Sequence, residues 1–454
     1  MIGIGWLEGL LNSVADHGRE LIGIKDGFED DNFTDSKLCH RLLEGKGEAT
    51  NIALAREILR RWRYKDVAQQ EAFLNLLSLE FDVDTQAIAE AAQQFNSGER
   101  SSLLNLVRLA EAPRQELFRR LNMAPNGTKV LVSMRESLLK LLKQNPQLKN
   151  VDTDFQHLLG SWFNRGFLQL ERIDWHSSAS MLEKLIQYEA VHPIQGWEDL
   201  RRRLNDKDRR CYGFFHPALP DVPLIFVEVA LTTQISDSIS SLVDPSATVA
   251  EEPPNTAIFY SINNALTGLR GVSFGNFLIK QVAEELKDEF TQINTFSTLS
   301  PIPQMVATIV SYFDETNTKH SESERQHVLS SLKMLLGQSA DFELTQQSLD
   351  TLLEGEDALK HQLCLYYLTQ LKRADKARDS VANFHLSNGA CLYRININAN
   401  SSERGTNESW GCMVNYLYEG DKVVSNHEAY ANKGTIALSK DLQRQVKSLV
   451  SNTL

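Results

Sequence analysis

Thr256 to Pro303 reads TAIFYSINNALTGLRGVSFGNFLIKQVAEELKDEFTQINTFSTLSPIP. The apolar run TAIFYSIN predicts a strand. After the turn TGLRGVSFG, Phe274, Phe277, Leu278, Val282, Leu286 and Phe290 recur at helical spacing on one face, and NTFSTLSPIP predicts the next strand. Strand, glycine-bearing turn, helix and strand make an α/β unit. Gly268, Gly271 and Gly275 stand where backbone amides at a helix N-terminus would suit a phosphate or pyrophosphate, although such glycines also serve turns that bind nothing. No Gly-Lys-Ser/Thr closes the turn and it does not fit G-x-G-x-x-G, so ATP and dinucleotide binding lose support.

Working outward, CYGFFHPALPDVPLIFVEVALT precedes this unit as two short strands around a proline-rich turn. The texture changes near Tyr188; before it the chain reads as helical, with apolar residues three and four apart in NIALAREILRRWRYKDVAQQEAFLNLLSLEF. The aromatic residues of LLGSWFNRGFLQLERIDW are read there as core, and the amphipathic start around Trp6, Leu10 and Leu11 as a docked helix or partner surface. Residues 304–375 return to helical patterns and read as an insertion. VANFHLSNGACLYRINI, from Val381, and SWGCMVNYLYEG restore strands, and KDLQRQVKSLV closes with a helix. On an extended segment Asn383, His385 and Ser387 would share one face and Phe384 and Leu386 the other.

A chain of 454 residues has room for two or three domains. Its 42% hydrophobic and 23% charged residues match folded soluble proteins rather than disordered or fibrous ones. The net charge of −12 argues against a nucleic-acid surface, leaving local clusters to meet an anionic ligand. Arg201, Arg202, Arg203, Lys207, Arg209 and Arg210 form one such cluster, or else a solvated helix face. Five scattered cysteines suit a reducing compartment. No segment is apolar enough for a membrane span, and Glu8 and Asp16 argue against a presequence, so the cytoplasm is expected. The eleven histidines include no H-E-x-x-H, which leaves a metal without support, and no G-x-S-x-G elbow supports an esterase.

Four motifs in order, FFHPALPDVPLIFVEVALT, AIFYSINNALTGLRGVSFGNFLIKQVAEELK, FSTLSPIP and VANFHLSNGACLYRIN, closely resemble the malonyl-CoA decarboxylase family, and EAVHPI before the sheet fits as well. The resemblance implies an α+β multidomain chain: an all-helical oligomerisation domain over 1–188, then a GNAT-like acyltransferase-fold catalytic domain over 189–454. The latter has a mixed, splayed β-sheet and the helical insertion. It implies Ser261 and His385 as catalytic residues. Gln234, Ile235, Ser236, Asp237, Ser238, Ile239 and Ser240 would contact malonyl-CoA, and Arg270, Gly271 and Gly275 would lie in the pyrophosphate loop, where Ser273 replaces the further glycine usual in acyltransferases.

The implied reaction converts malonyl-CoA to acetyl-CoA and CO2, setting malonyl-CoA levels for fatty acid metabolism. Its electron sink is the thioester carbonyl, so no cofactor is expected. His385 would protonate the α-carbon, and Ser261 would hold the departing carboxylate out of the thioester plane. A homo-oligomer, dimer or tetramer, is expected through the helical domain. Two alternatives use the same resemblance: an acyl-CoA-dependent N-acyltransferase, and a non-catalytic malonyl-CoA-binding sensor.

Overall fold

The computed structural model describes residues 34–95, 99–244, 252–272 and 278–453, together with Gly9, 12–14 and Asp16. Trp6, Leu10, Leu11, Ser273, Phe274, Gly275 and Phe277 lie outside the described residues. The chain divides into two compact units, one of residues 1–169, 215–224 and 266–274, the other of residues 170–214, 225–265 and 275–454. The expected boundary at 188 thus falls within the second unit, which takes up sheet structure from β1 (Gln169–Ile173) onward.

The first unit is helical: α1 (Asp35–Glu44), α2 (Glu48–Tyr64), α3 (Val67–Leu79), α4 (Thr85–Gln93), α5 (Arg100–Leu109), α6 (Pro113–Asn122), α7 (Gly127–Leu141) and α8 (Lys149–Trp162). Local chemistry sets their starts. Asp66 and Gln69 form a reciprocal capping box before α3, and Pro113 occupies the first turn of α6, where its missing N–H costs nothing. Trp62 packs on Phe73, and Phe118 stacks on Phe155 with centroids 4.1 Å apart. Of the aromatics expected in this core, Phe163 is fully buried, whereas Phe167 stands largely exposed.

Arg135 on α7 is buried and pairs with buried Asp152 at 2.9 Å, while its Nη1 donates to the Gly268 carbonyl at 2.8 Å. Gly268 therefore serves packing: a Cβ there would stand 2.0 Å from the Val132 carbonyl oxygen. Backbone cannot give way as a side-chain tip can. Gly268→Ala is expected to destabilise the unit by about 1–3 kcal/mol, read as a lowered denaturation midpoint.

The second unit is built on an eight-stranded sheet of order β1-β2-β3-β4-β5-β10-β6, with β9 also paired to β10. Its further strands are β2 (Arg209–Phe215), β3 (Ile225–Thr232), β4 (Thr256–Asn264), β5 (Thr295–Thr298), β6 (Ser300–Pro301), β9 (Cys391–Asn396) and β10 (Met413–Leu417); β7 (Lys372–Arg373) and β8 (Lys376–Ala377) form a separate hairpin. The sheet is mixed: β4 and β5 run parallel, while β2, β3 and β4 pair antiparallel, as do β5 and β10. The parallel crossover needs a helix, supplied by α12 (Leu278–Glu289), whose Leu278, Val282 and Leu286 are buried as their spacing predicts.

The other helices of this unit are α9 (Ala179–Tyr188), α10 (Trp197–Asn205), α11 (Ser240–Val243), α13 (Met305–Val310), α14 (Glu322–Leu335), α15 (Gln346–Leu353), α16 (Asp357–Thr369), α17 (Ser380–Ser387), α18 (Glu403–Ser409), α19 (Val423–Lys433) and α20 (Lys440–Thr453). Helices α13 to α16 occupy the stretch read as an insertion. VANFHLS is helix α17, not strand, so the alternation that put His385 opposite Phe384 and Leu386 does not apply. Asp379 explains the difference: its Oδ1 accepts the Val381 and Ala382 amides at 3.0 and 2.9 Å and starts a helix. Gly389, at φ +84°, ends the turn, and the strand begins only at Cys391.

Candidate active site

His385 occupies the last turn of α17 and is 2% exposed, so both ring nitrogens must find partners inside the protein. Nδ1 lies 2.8 Å from the Tyr418 hydroxyl and Nε2 lies 3.0 Å from Ser300 Oγ. Tyr416 stacks on the imidazole face at 4.6 Å. Ser300 in turn donates to Thr298 Oγ1 at 2.9 Å. A serine has one proton, so an Oγ that donates to Thr298 must accept from His385. The proton therefore sits on Nε2, and Nδ1 accepts from the Tyr418 O–H. Burial pushes the imidazole down to about 3 and holds the Tyr418 phenol well above its usual range, which keeps both neutral near pH 7.

The neighbouring cavity follows from the sheet. Parallel pairing of β4 with β5 ends at Phe259 opposite Thr298; β4 runs on to Asn264, whereas Ser300 pairs across to Val414 of β10. Between the parted strands lies a cavity of about 270 Å³, with Ser300 and His385 in a wall otherwise dominated by Ile225, Val227, Phe259 and Ile262. Ile279 of α12 and Phe384 of α17 also line it. The buried histidine thus borders an internal cavity at the point where β4 and β5 part.

Ser261 is placed differently. It stands opposite Glu228 across β3, past a register shift at Glu228 and Val229, and its hydroxyl lies 2.8–2.9 Å from both Glu189 carboxylate oxygens. Asn263 Nδ2 donates to Glu189 at 2.7 Å, and the Val191 and His192 amides donate to the same carboxylate at 2.8 Å. Ser261 is 1% exposed and is absent from the residues lining the cavity. The structure brings His385 together with Ser300 and Tyr418, and gives Ser261 to Glu189. Ser300 lies inside FSTLSPIP and Glu189 begins EAVHPI, so both stood in the motifs that carry the resemblance; Tyr418 directly follows strand β10, two residues after Tyr416.

The segment 234–240 is a loop tied to the sheet. The Ile235 carbonyl accepts from Arg394 and the Ser236 carbonyl from Asn415, each at 3.0 Å. Ser238 and Ser240 hydroxyls bond each other at 2.8 Å, and Ile239 is buried in the core; Gln234 and Asp237 face outward. Arg270 and Gly271 are exposed, Gly271 at φ +78°, and belong to the first unit; Gly275 lies outside the described residues.

The basic cluster is neither a phosphate cradle nor a solvated face. Arg203 pairs with Asp199 and Glu228, Arg202 with Asp206 and Asp208, and Arg210 with Glu289; Arg203, Arg209 and Arg210 are buried. Arg201 instead lies over the Trp175 ring. Burial and the nearby Glu189 charge push Glu228 up to about 8, against the pull of Arg203. Among the described residues, no group of three or more His, Cys, Asp or Glu side chains is placed to hold a metal, and no helix is long and apolar enough to cross a membrane. All five cysteines are buried and unbridged.

Residues 81–163 match the family model for the malonyl-CoA decarboxylase N-terminal domain and residues 166–453 that for the C-terminal domain. The chain is 36% identical over 430 residues to "Malonyl-CoA decarboxylase, mitochondrial" of Anser anser anser, covering 87% of this chain and 82% of the relative. It is 35% identical over 420 residues to the Rattus norvegicus protein of the same name, covering 86% and 84%. The crystal structure of malonyl-CoA decarboxylase from Rhodopseudomonas palustris superposes with a TM-score of 0.78 at 42% identity, over 94% of this chain and 99% of that one. That from Agrobacterium vitis gives 0.77 at 42% identity, over 91% and 99%. With both domain models in order and most of the chain matched, this protein belongs to the malonyl-CoA decarboxylase family.

Proposed function

We propose that the chain decarboxylates malonyl-CoA at the Ser300–His385 pair, in the cavity between the parted strands. The observation that carries this reading is a neutral, doubly bonded imidazole facing an apolar cavity in a member of this family. A carboxylate enclosed by Ile225, Val227 and Ile262 loses hydration that the product CO2 does not need, which favours breaking the C–C bond. The bonding pair passes to the thioester as an enolate, so the carbonyl is the electron sink. His385 Nε2–H, held at rest by the Ser300 hydroxyl, is the donor placed for the developing charge, and its proton completes the acetyl group. Ser261 then acts at a distance, as part of the network that fixes Glu189 beneath β4.

Residues 234–240, Arg270, Gly271 and Gly275 are proposed to meet the coenzyme A part of the substrate. The protein is proposed to be a cytoplasmic homo-oligomer, assembled through the helical N-terminal region, that sets malonyl-CoA levels for fatty acid metabolism. Leu103, Leu104 and Val107 support the assembly: they are 46–60% exposed on α5, which buries no residue. Light scattering of the intact chain tests it. For the chemistry, incubation with malonyl-CoA and no acceptor is expected to give acetyl-CoA and CO2 in equal amounts. Product that appears only with an added amine would make the chain an N-acyltransferase, and binding without turnover would make it a sensor.

A further inference from the structure

A second cavity, about 550 Å³, lies beside the first and shares Ile279 of α12 with it. Tyr418 lines the larger cavity and His385 the smaller, so their 2.8 Å hydrogen bond runs through the wall between the two. The larger cavity is lined by four charged side chains, Lys280, Glu284, Lys287 and Glu419, and by the Tyr393 phenol. It is roomy and polar enough to hold water. The smaller cavity must exclude water to favour loss of CO2, yet each turnover consumes a proton. Those demands conflict unless the proton arrives by another door.

We infer that the larger cavity is the proton-entry chamber of this enzyme and that Tyr418 passes the proton to His385. This rests on the decarboxylase reading. When the enolate carbon takes the Nε2 proton, directly or through Ser300 Oγ, Nδ1 takes the Tyr418 proton, so the imidazole ends neutral with its proton on the other nitrogen. The phenolate left behind takes a proton from chamber water, and the resulting hydroxide is neutralised by solvent. Lys280 and Lys287 offset the transient negative charge, while Glu284, 3.6 Å from Lys287, and Glu419, 2.8 Å from Lys422, temper that field. A half-turn of the imidazole about Cβ–Cγ carries the Nδ1 proton to the Ser300 side and resets the pair.

The test separates proton delivery from decarboxylation. Acetyl-CoA incubated with the enzyme in D2O exchanges its methyl protons by the reverse of the last step, and mass spectrometry reads the rate. Tyr418→Phe keeps the ring and removes the relay; exchange is expected to fall about 10²-fold or more, with KM for malonyl-CoA little changed. Ala283→Leu projects bulk into the chamber from α12 without touching the pair, and is expected to slow exchange about tenfold with Tyr418 intact, within the range of positioned proton transfer. Wild-type exchange rates in both variants would overturn the proton route. A wild-type enzyme that fails to decarboxylate malonyl-CoA would instead overturn the functional reading, and the route with it.

Discussion

His385→Asn is expected to lower kcat for malonyl-CoA by about 10²- to 10⁴-fold, the range of a positioned proton-transfer group, with KM little changed. Asparagine is close to imidazole in size and retains a donor and an acceptor, so it can bond Ser300 or Tyr418 and fill the space against Tyr416. What it cannot do is take a proton on one side while giving one on the other. Steady-state kinetics check the result, and an unchanged kcat would remove His385 from the chemistry. Since α17 is held by the Asp379 cap and by buried Ala382 and Leu386, the variant is expected to fold.

The same residue has a pH signature in stability. Burial lowers the imidazole from 6.5 to about 3, so between those values the unfolded chain binds a proton that the folded chain refuses. Stability from this source is complete above about 6.5, and is lost progressively as pH falls toward 3. Buried His192 is also lowered to about 3 and adds to the slope. Comparing denaturation midpoints of wild type and His385→Asn across that window isolates the His385 share: the variant is expected to show the shallower dependence. For kcat/KM, which reports the free enzyme, the neutral imidazole gives no acid limb near pH 6.5.

Much of this architecture was legible because the patterns were long. The helical period of LIKQVAEELKDE and the apolar run TAIFYSIN each persist over enough residues to exclude the other, and the crossover between parallel strands followed. VANFHLS was too short for its period to decide, and its signal lay one residue upstream of Ser380, in the capping carboxylate of Asp379. The charge cluster at 201–210 was visible, but its partners Glu228 and Glu289 are distant in sequence, so nothing local distinguished a free patch from a buried ion-pair network. Which hydroxyl faces His385 was a still longer-range matter. Ser261 and Ser300 both lie in strands within the motifs that carry the resemblance. The register shift in β4, and the end of β4–β5 pairing at Thr298 before Ser300 pairs with Val414, decide their directions.

Those two hydroxyls give the second large effect, and it is a contrast. Ser300→Ala removes the hydroxyl that holds the Nε2 proton at the cavity wall, and kcat is expected to fall about 10²-fold, at the low end for a positioned proton-transfer group. Its cost in stability is expected to be about 1 kcal/mol, the loss of ordinary neutral hydrogen bonds. Ser261→Ala acts on the fold instead. It strips a donor from the buried Glu189 carboxylate, leaving Asn263 and the Val191 and His192 amides to hold the charge, at a cost of about 1.5–3 kcal/mol. Its kcat, measured below its denaturation temperature, is expected to stay close to wild type, because Ser300, His385 and Tyr418 keep every bond they make with one another. If Ser261→Ala loses turnover while Ser300→Ala retains it, the hydroxyl that serves the leaving carboxylate is Ser261, and the cavity wall at Ser300 only supports the histidine.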